Sequence, residues 1–189
     1  MEWLTARISN KFVRDNLIDE KQMEWFAYWM RCRIMNVAGF IILISAGTLF
    51  FPFLRVLFLN LGLIFLRAKT NGMHMPTKLS CLAFSLLCEF GCLFAITELQ
   101  TNTLISWLVI LFFSTMLIGL LTPCNNLSIH LSAAELEAMH KAVVKRLCLY
   151  ILITFVLLLI TPPIALTLII AEAAVALLVV LAKFGVGAK

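Results

Sequence analysis

Long apolar stretches separated by short polar connections dominate the chain. A helix needs about 20 mostly apolar residues to cross the hydrocarbon of a bilayer, and somewhat fewer when flanking side chains reach the interface. Six stretches approach this length, and we predict a transmembrane helix in each: 34–50, 54–66, 79–99, 104–121, 147–161 and 164–182. The pattern therefore predicts an all-α fold, a polytopic membrane helical bundle of about six transmembrane helices.

Proline marks two of the connections as tight. The first two spans share one apolar run that only "FFPFLR" interrupts, and Pro162-Pro163 divides the last two. Because proline is disfavoured inside a helix and tandem proline marks a turn, we expect separate helices on either side.

Composition supports a membrane protein. The chain has 62% hydrophobic and 13% charged residues, with a mean hydropathy of +1.03. A soluble domain carries about 25% charged residues, so too few polar side chains are present to cover a water-soluble globule. The first residues lack a long apolar segment with a cleavage site and do not predict a signal peptide.

Basic residues alternate between connections. Under the positive-inside rule, this alternation predicts six spans with both the N- and the C-terminus in the cytoplasm. Arg55, at the edge of the first outer connection, is the exception. The other 14 of the 15 lie in four groups, before the first span, in 67–78, in 122–146 and after the last span: Arg7, Lys11, Arg14, Lys21, Arg31 and Arg33; Arg67, Lys69 and Lys78; Lys141, Lys145 and Arg146; Lys183 and Lys189.

The N-terminal segment is amphipathic. Within 2–18, Leu4, Ile8 and Phe12 recur at helical spacing, while basic residues line another side. This pattern suits a helix in the anionic inner interface, or equally one packed on the protein's own cytoplasmic face. Four aromatic residues then predict an interfacial anchor before the first span: Trp25, Phe26, Tyr28 and Trp29. We therefore divide the chain into a cytoplasmic or interfacial segment, 1–33, and a transmembrane domain, 34–189.

The connection 122–146 contains a predicted helix start. Ser132 and Glu135 have capping-box spacing, and a helical apolar pattern follows: Leu136, Met139, Val143 and Leu147. The fifth span is thus expected to begin as an amphipathic cytoplasmic helix. His130 and His140 lie in or near it, and we interpret them as solvated surface histidines.

The six cysteines do not suggest a disulfide framework or a metal site. They lack C-x-x-C spacing, and most fall in spans or on the reducing side. Cys88 and Cys92, one helical turn apart, are expected to be small core residues, and we expect the same of Cys32, Cys124 and Cys148. No cluster has the spacing of a zinc site, so neither a metal nor a cofactor is expected.

The stretch "RAKTNGMHMPTKLSC", residues 67–81, places His74 and Cys81 seven residues apart. In one continuous helix the two would be separated by about 10.5 Å along the axis, too far for a hydrogen bond. Gly72 permits a sharp turn, and Pro76 favours the first turn of a new helix, with Thr77 or Ser80 as its cap. Cys81 then lies near a helix N-terminus, where a thiolate is stabilised, and the loop can bring the imidazole to it. The alternative is an interfacial histidine and a helix cysteine without a joint function.

These residues resemble a known family. Arg67, then Gly72-Met-His74-Met-Pro76-Thr77, then Cys81 is similar to the motif of the accessory gene regulator B (AgrB) family. Chain length, the number of spans, the amphipathic start and "TPCNNLSIHLSAAELEAMHKAV" extend the resemblance over most of the chain. The resemblance implies a membrane cysteine endopeptidase of Gram-positive bacteria, located in the cell membrane, with residues 34–189 as its catalytic domain.

The resemblance also implies a reaction and partners. Cys81 would attack an AgrD-like precursor peptide at its acidic tail, with His74 as the base, and the thioester would close to a thiolactone or lactone in quorum sensing. Membrane lipids and a second copy in a homodimer are further expected partners, and no nucleic acid is. A set of basic residues would attract the tail, or would reflect topology alone: Arg67, Lys69, Lys78, Lys141, Lys145 and Arg146.

Two intramembrane carboxylates support a rival function. Glu89 and Glu172 fall near the middle of the third and sixth spans, where a charge is costly and suggests a function. A small proton-coupled transporter is therefore the alternative to an enzyme, and a non-enzymatic membrane scaffold is the third hypothesis. Alternatively, the two carboxyls have a purely structural role, in which they are protonated and form hydrogen bonds between helices.

Overall fold

Helices account for all the regular secondary structure in the described part of the chain. The computed structural model describes residues 2–15, 19, 23–70, 77–101, 103–123 and 132–186. The all-α class is confirmed for these residues. The helices are α1 (Glu2–Arg14), α2 (Met23–Thr48), α3 (Phe53–Thr70), α4 (Lys78–Leu99), α5 (Leu104–Leu121), α6 (Ala133–Ile160) and α7 (Pro162–Lys183).

Each of the six predicted spans overlaps a helix. Within the described ranges, five helical segments are long and apolar enough to cross a membrane: Met23–Thr48, Leu79–Leu99, Leu104–Leu121, Ala133–Ile160 and Pro162–Lys183. Helix α3 falls outside this group because its 18 residues include Arg55, Arg67 and Lys69. The helical membrane class is supported, while six crossings and cytoplasmic termini stay predictions.

Several helix bounds differ from the predicted ones. Helix α2 begins at Met23 rather than at residue 34, so the four aromatic residues predicted to precede the span lie inside its helix. The segment 23–33 contains neither proline nor glycine, and nothing local ends the helix there. Helix α6 runs unbroken from Ala133, which confirms the predicted helical entry into the fifth span. Helix α1 ends at Arg14, short of the predicted residue 18.

The chain forms two compact units, Met1–Ile42 and Leu43–Lys189. In the first unit, Ile8 and Phe12 are half-buried and the three basic residues of α1 are exposed. The ring centroids of Phe12 and Phe26 lie 5.2 Å apart, so α1 has an aromatic packing partner in its own unit. The amphipathic helix is therefore confirmed, and its place at a membrane interface, like the domain boundary after residue 33, stays a prediction.

Helix α7 is the centre of the second unit. It packs against α3, α4, α5 and α6, and most of its residues between Ala165 and Val179 are buried. Small residues allow neighbouring helices to approach closely: Ala165, Ala171, Ala174 and Ala176. The outer surfaces of α4, α5 and α6 are apolar instead, with Leu79, Leu120 and Leu159 between 76% and 88% exposed. Such surfaces suit contact with lipid rather than water.

Connections of unequal length join the helices of this unit. Residues 71–77 and 122–132 join α3 to α4 and α5 to α6, and we call the helix ends that they join the long-connection end. The opposite, short-connection end has 100–103 between α4 and α5 and the single residue Thr161 between α6 and α7. Thr161 ends α6 and precedes Pro162, the first residue of α7, which confirms the predicted tight turn.

Side chains tie the helices together at both ends. At the short-connection end, Arg55 donates to the Gln100 amide oxygen at 3.0 Å, and the Trp107 indole donates to the Leu99 carbonyl at 2.9 Å. At the long-connection end, Arg146 donates to the Phe65 carbonyl at 3.0 Å. Arg146 therefore links α6 to the last part of α3, close to the candidate site.

Candidate active site

A capping box starts the helix that carries the candidate nucleophile. Thr77 has an extended backbone, and its hydroxyl accepts a hydrogen bond from the Ser80 N–H at 3.1 Å. The Ser80 hydroxyl in turn accepts from the Thr77 N–H at 3.3 Å. These two bonds satisfy donors that a helix start leaves without partners. Of the two predicted caps, Thr77 and Ser80, Thr77 is the cap, and Ser80 is its partner in the capping box.

Cys81 is the fourth residue of α4 and is half-buried. Its N–H donates to the Thr77 carbonyl at 3.0 Å, which is the first hydrogen bond of the helix. The predicted place near the helix N-terminus is therefore confirmed. The helix itself provides no acceptor for the N–H groups of Lys78 and Leu79, which begin the same turn, so these amides can donate to an acceptor outside the helix.

The face of α4 that bears Cys81 continues into the core. Ser85, Cys88 and Cys92 follow at helical spacing on the same side, and exposure falls to 8% at Cys92. Cys81 thus lies where a polar, partly accessible helix end meets a buried apolar face.

A buried hydrogen bond sets the relation between α3 and α4. The Asn60 side-chain amide donates to Oε1 of Glu89 at 2.7 Å, and both residues are at most 2% exposed. From Glu89 back to Cys81 is eight residues, about 12 Å of helix, and from Asn60 forward to Arg67 is about 10.5 Å. Arg55 near the start of α3 contacts Gln100 just after α4, so the two helices run antiparallel, and Arg67 and Cys81 lie at a similar level at the long-connection end.

The predicted base and the loop residues lie outside the described residues. This applies to Gly72, His74 and Pro76. The contact between His74 and Cys81 therefore stays a prediction. The described residues on either side of this segment are Thr70, the last residue of α3, and Thr77, the cap of α4.

The predicted tail-binding residues differ in their surroundings. Arg67 and Lys69 are half-buried in the last turn of α3, and Lys145 is exposed on α6. Lys141 forms an exposed ion pair with Glu137, with Nζ and Oε1 separated by 2.7 Å, so part of its charge is already balanced. The side chain of Lys78 lies outside the described part.

The prediction that Cys32 and Cys148 lie in a core is wrong. Cys32 and Cys148 are exposed on their helices rather than buried in a core, because each lies on a helix face that no neighbour in its unit covers. His140 is exposed, as predicted, but its Nδ1 lies 2.8 Å from the Thr122 carbonyl oxygen and links α6 to the end of α5.

Cys124 and His130 lie outside the described residues. Within the described ranges, no group of three or more His, Cys, Asp or Glu residues could hold a metal ion.

The two intramembrane carboxyls occupy different helix interfaces. Glu89 is 1% exposed between α3 and α4, and Glu172 is fully buried and accepts a hydrogen bond from the Thr115 hydroxyl at 2.6 Å. Each carboxyl therefore makes the interhelical bond that the structural interpretation predicts. Our sequence interpretation did not include Asn60, although a polar amide in the middle of an apolar span indicates a buried partner.

Loss of the α4 cap should reduce activity by more than the accompanying loss of folding stability explains. Replacing Thr77 by alanine removes the acceptor for the Ser80 N–H and should cost about 1 kcal/mol. The start of α4 then frays and misplaces the thiol, and we expect any activity that depends on Cys81 to fall roughly tenfold. An assay of that activity and thermal unfolding of the purified protein measure the two effects.

The capping box of α6 provides a matched control. Ser132 accepts from the Glu135 N–H in the same geometry, far along the chain from Cys81. Ser132→Ala should cost similar stability and leave the activity that depends on Cys81 near the wild-type level. Equal losses of activity in both variants would show that the cap of α4 has no special role at the site.

Fold and site together define a polytopic helical membrane protein with a thiol near a helix N-terminus, seven residues after a histidine in the sequence. A family model described as accessory gene regulator B matches residues 5–182, and the chain belongs to this family. No curated protein and no solved structure matches the chain. It is thus a membrane protein of the accessory gene regulator system.

Proposed function

We propose that this chain is a membrane-embedded cysteine endopeptidase that removes the C-terminal tail of a quorum-sensing precursor peptide and promotes its cyclisation. The observation that carries this proposal is the position of Cys81, half-buried in the first turn of α4 and directly after the connection that contains His74. Family membership over residues 5–182 supports the same class of activity.

The first chemical step transfers the peptide acyl group to the enzyme. His74 accepts the proton of the Cys81 thiol, and the sulfur attacks the carbonyl carbon at the tail junction. The oxygen of the tetrahedral intermediate carries negative charge, which the N–H groups of Lys78 and Leu79 can stabilise. His74 then returns the proton to the departing amine, the C–N bond breaks, and a thioester on Cys81 remains.

The second step closes the ring. The thiol or hydroxyl of a central Cys or Ser in the bound peptide attacks the thioester carbonyl, with its proton accepted by His74. The bond to Cys81 breaks, the Cys81 thiol is restored, and a thiolactone or lactone is released. Water competes for the same thioester, so a partly dry site favours the tethered nucleophile. The apolar face of α4 that continues to Cys92 supplies such surroundings.

Basic side chains at the long-connection end suit an acidic tail. Arg67, Lys69 and Lys145 are at least partly accessible there, and Lys78 belongs to the same segment of sequence. Lys141 contributes less in this proposal because Glu137 already neutralises part of its charge. We place this end in the cytoplasm, following the distribution of basic residues. The homodimer implied by the family resemblance belongs to the same proposal.

The hydrogen bonds of the two buried carboxyls favour the peptidase over the proton-coupled transporter. Glu89 and Glu172 each hydrogen-bond to a partner on a neighbouring helix, in two different interfaces. These bonds give Oε1 of each carboxyl a structural role without a transport pathway, while Oε2 of each has no hydrogen-bond partner among the described residues. Glu89→Gln and Glu172→Gln should therefore leave most of the activity intact, whereas a transporter would lose its function in both.

The test of the proposed function is to capture the acyl-enzyme. The protein is incubated with a precursor in which the central Cys or Ser is replaced by alanine, so that the ring cannot close. We expect intact-mass analysis to find the protein increased by the mass of the peptide without its tail and less one water. Neutral hydroxylamine should remove the adduct as a hydroxamate.

Two results would contradict the proposal. An adduct that maps to a residue other than Cys81 would assign the nucleophile elsewhere. Tail removal without any hydroxylamine-sensitive adduct, even at short reaction times, would exclude a thioester intermediate.

A further inference from the structure

The hydrogen bond between Asn60 and Glu89 joins the two helices on either side of the proposed catalytic loop. Asn60 lies in α3, Glu89 in α4, and residues 71–77 connect them. Both side chains are almost fully buried, and the Asn60 amide also donates to the Val56 carbonyl at 3.0 Å. The amide orientation is therefore held from its own helix and from the partner helix.

Helices α3 and α4 have few other contacts with each other, since both pack mainly on α7. In a membrane, apolar surfaces gain little by leaving lipid for one another, so a polar bond has a large share in fixing how two helices align. The interface is also tight around the pair. A Cβ at Gly47 of α2 would lie 2.9 Å from Oε1 of Glu89 and 2.7 Å from Val56 Cγ1.

We infer that Asn60 and Glu89 are positioning residues, which hold α3 and α4 in the alignment that brings the connection carrying His74 to Cys81. This inference rests on the proposed function, because it assigns the pair a role in activating the Cys81 thiol. Neither residue touches the substrate. A slip of one helical turn would move the end of α3 by about 5.4 Å relative to Cys81, more than a hydrogen bond between imidazole and thiol allows.

The test measures the thiol rather than peptide cleavage. Full-length protein in lipid nanodiscs is treated with iodoacetamide, and mass spectrometry quantifies alkylation of the peptide that contains Cys81. The readout is the ratio of the alkylation rate near pH 7 to the rate near pH 9.5, since a thiol beside an imidazole keeps more of its reactivity in neutral solution than the same thiol without it. Altered access of the reagent changes both rates and leaves the ratio unchanged.

We expect Glu89→Leu to lower this ratio to the level of His74→Ala. The double variant should lie within about twofold of either single variant, because residues that act through one another are not additive. Glu89→Gln should keep the wild-type ratio, since its side-chain oxygen can still accept from Asn60. Glu172→Leu is the matched control, a buried carboxyl in the α5–α7 interface whose loss should leave the ratio unchanged.

The outcomes separate the inference from the proposed function. A wild-type ratio in Glu89→Leu beside a lowered one in His74→Ala overturns the inference and leaves the catalytic pair intact. An equal fall in Glu172→Leu also overturns it, as does an additive double variant. An unchanged ratio in His74→Ala contradicts the proposed function itself. If Glu89→Leu does not yield monodisperse protein, Asn60→Leu removes the same bond and is judged by the same results.

Discussion

Replacing Cys81 by alanine should abolish tail removal, with a loss on the order of 10³-fold or more. The reason is chemical, because the proposed thioester cannot form without the sulfur. Cys81→Ser should be nearly as inactive, since a hydroxyl is far less readily ionised than a thiol. Co-expression with the precursor peptide, followed by mass spectrometry of the products, measures the effect.

Other cysteines provide the controls for this prediction. Cys148 is exposed on α6, and Cys88 lies on the same face of α4 as Cys81, two turns deeper. Cys148→Ala and Cys88→Ala should retain cleavage within a few-fold of wild type. Persistent cleavage in Cys81→Ala, together with its loss in Cys88→Ala, would assign the nucleophile to the deeper position.

Replacing His74 by alanine should reduce cleavage by about 10²- to 10⁴-fold, the usual contribution of a general acid and base. The thiol would lose its proton acceptor, and the departing amine its proton donor. Alkaline buffer should restore part of the rate, because hydroxide can remove the thiol proton while nothing replaces the acid. Rates measured with purified protein over a range of pH test this.

His140 is the comparison for that experiment. Its ring contacts the Thr122 carbonyl and has no part in the proposed chemistry. His140→Ala should therefore keep the rate and the pH profile of wild type. If His74→Ala behaved like His140→Ala, the base would have to be another group, and the mechanism proposed above would be wrong.

The predictable parts of this fold are those with local causes. Ser132 with Glu135 predicted the start of α6, and Pro76 with Thr77 predicted the start of α4. Such signals involve residues at most three positions apart, so they can be read from the sequence. The bounds of α2 were less predictable. An amphipathic aromatic segment and an apolar span can form one helix, and hydropathy marks only the apolar part.

Partners distant in sequence could not be predicted. Glu89 and Glu172 were recognisable as buried carboxyls, but their bonds to Asn60 and Thr115 depend on how the helices pack. The link from His140 to Thr122 has the same origin. Composition also does not show which face of a helix meets lipid, and this is why Cys32 and Cys148 were wrongly expected in a core.

The hydrogen bond of the Cys81 N–H constrains where a substrate can bind. Because this amide already donates to the Thr77 carbonyl, it is not available to stabilise an oxyanion. The amides of Lys78 and Leu79 lie three and two residues nearer the helix end, in the same turn. The scissile carbonyl should therefore point toward the helix end, with its carbon above Cys81.

The one-residue turn at Thr161 determines where this chain can change in length. Its carbonyl accepts from the N–H groups of Ile164 and Ala165, and its own N–H donates to Leu157, so any inserted residue would separate bonds that hold two helices. A longer connection at 122–132 adds only a small loop-closure entropy. Insertions should thus be rejected at Thr161 and tolerated better within 122–132.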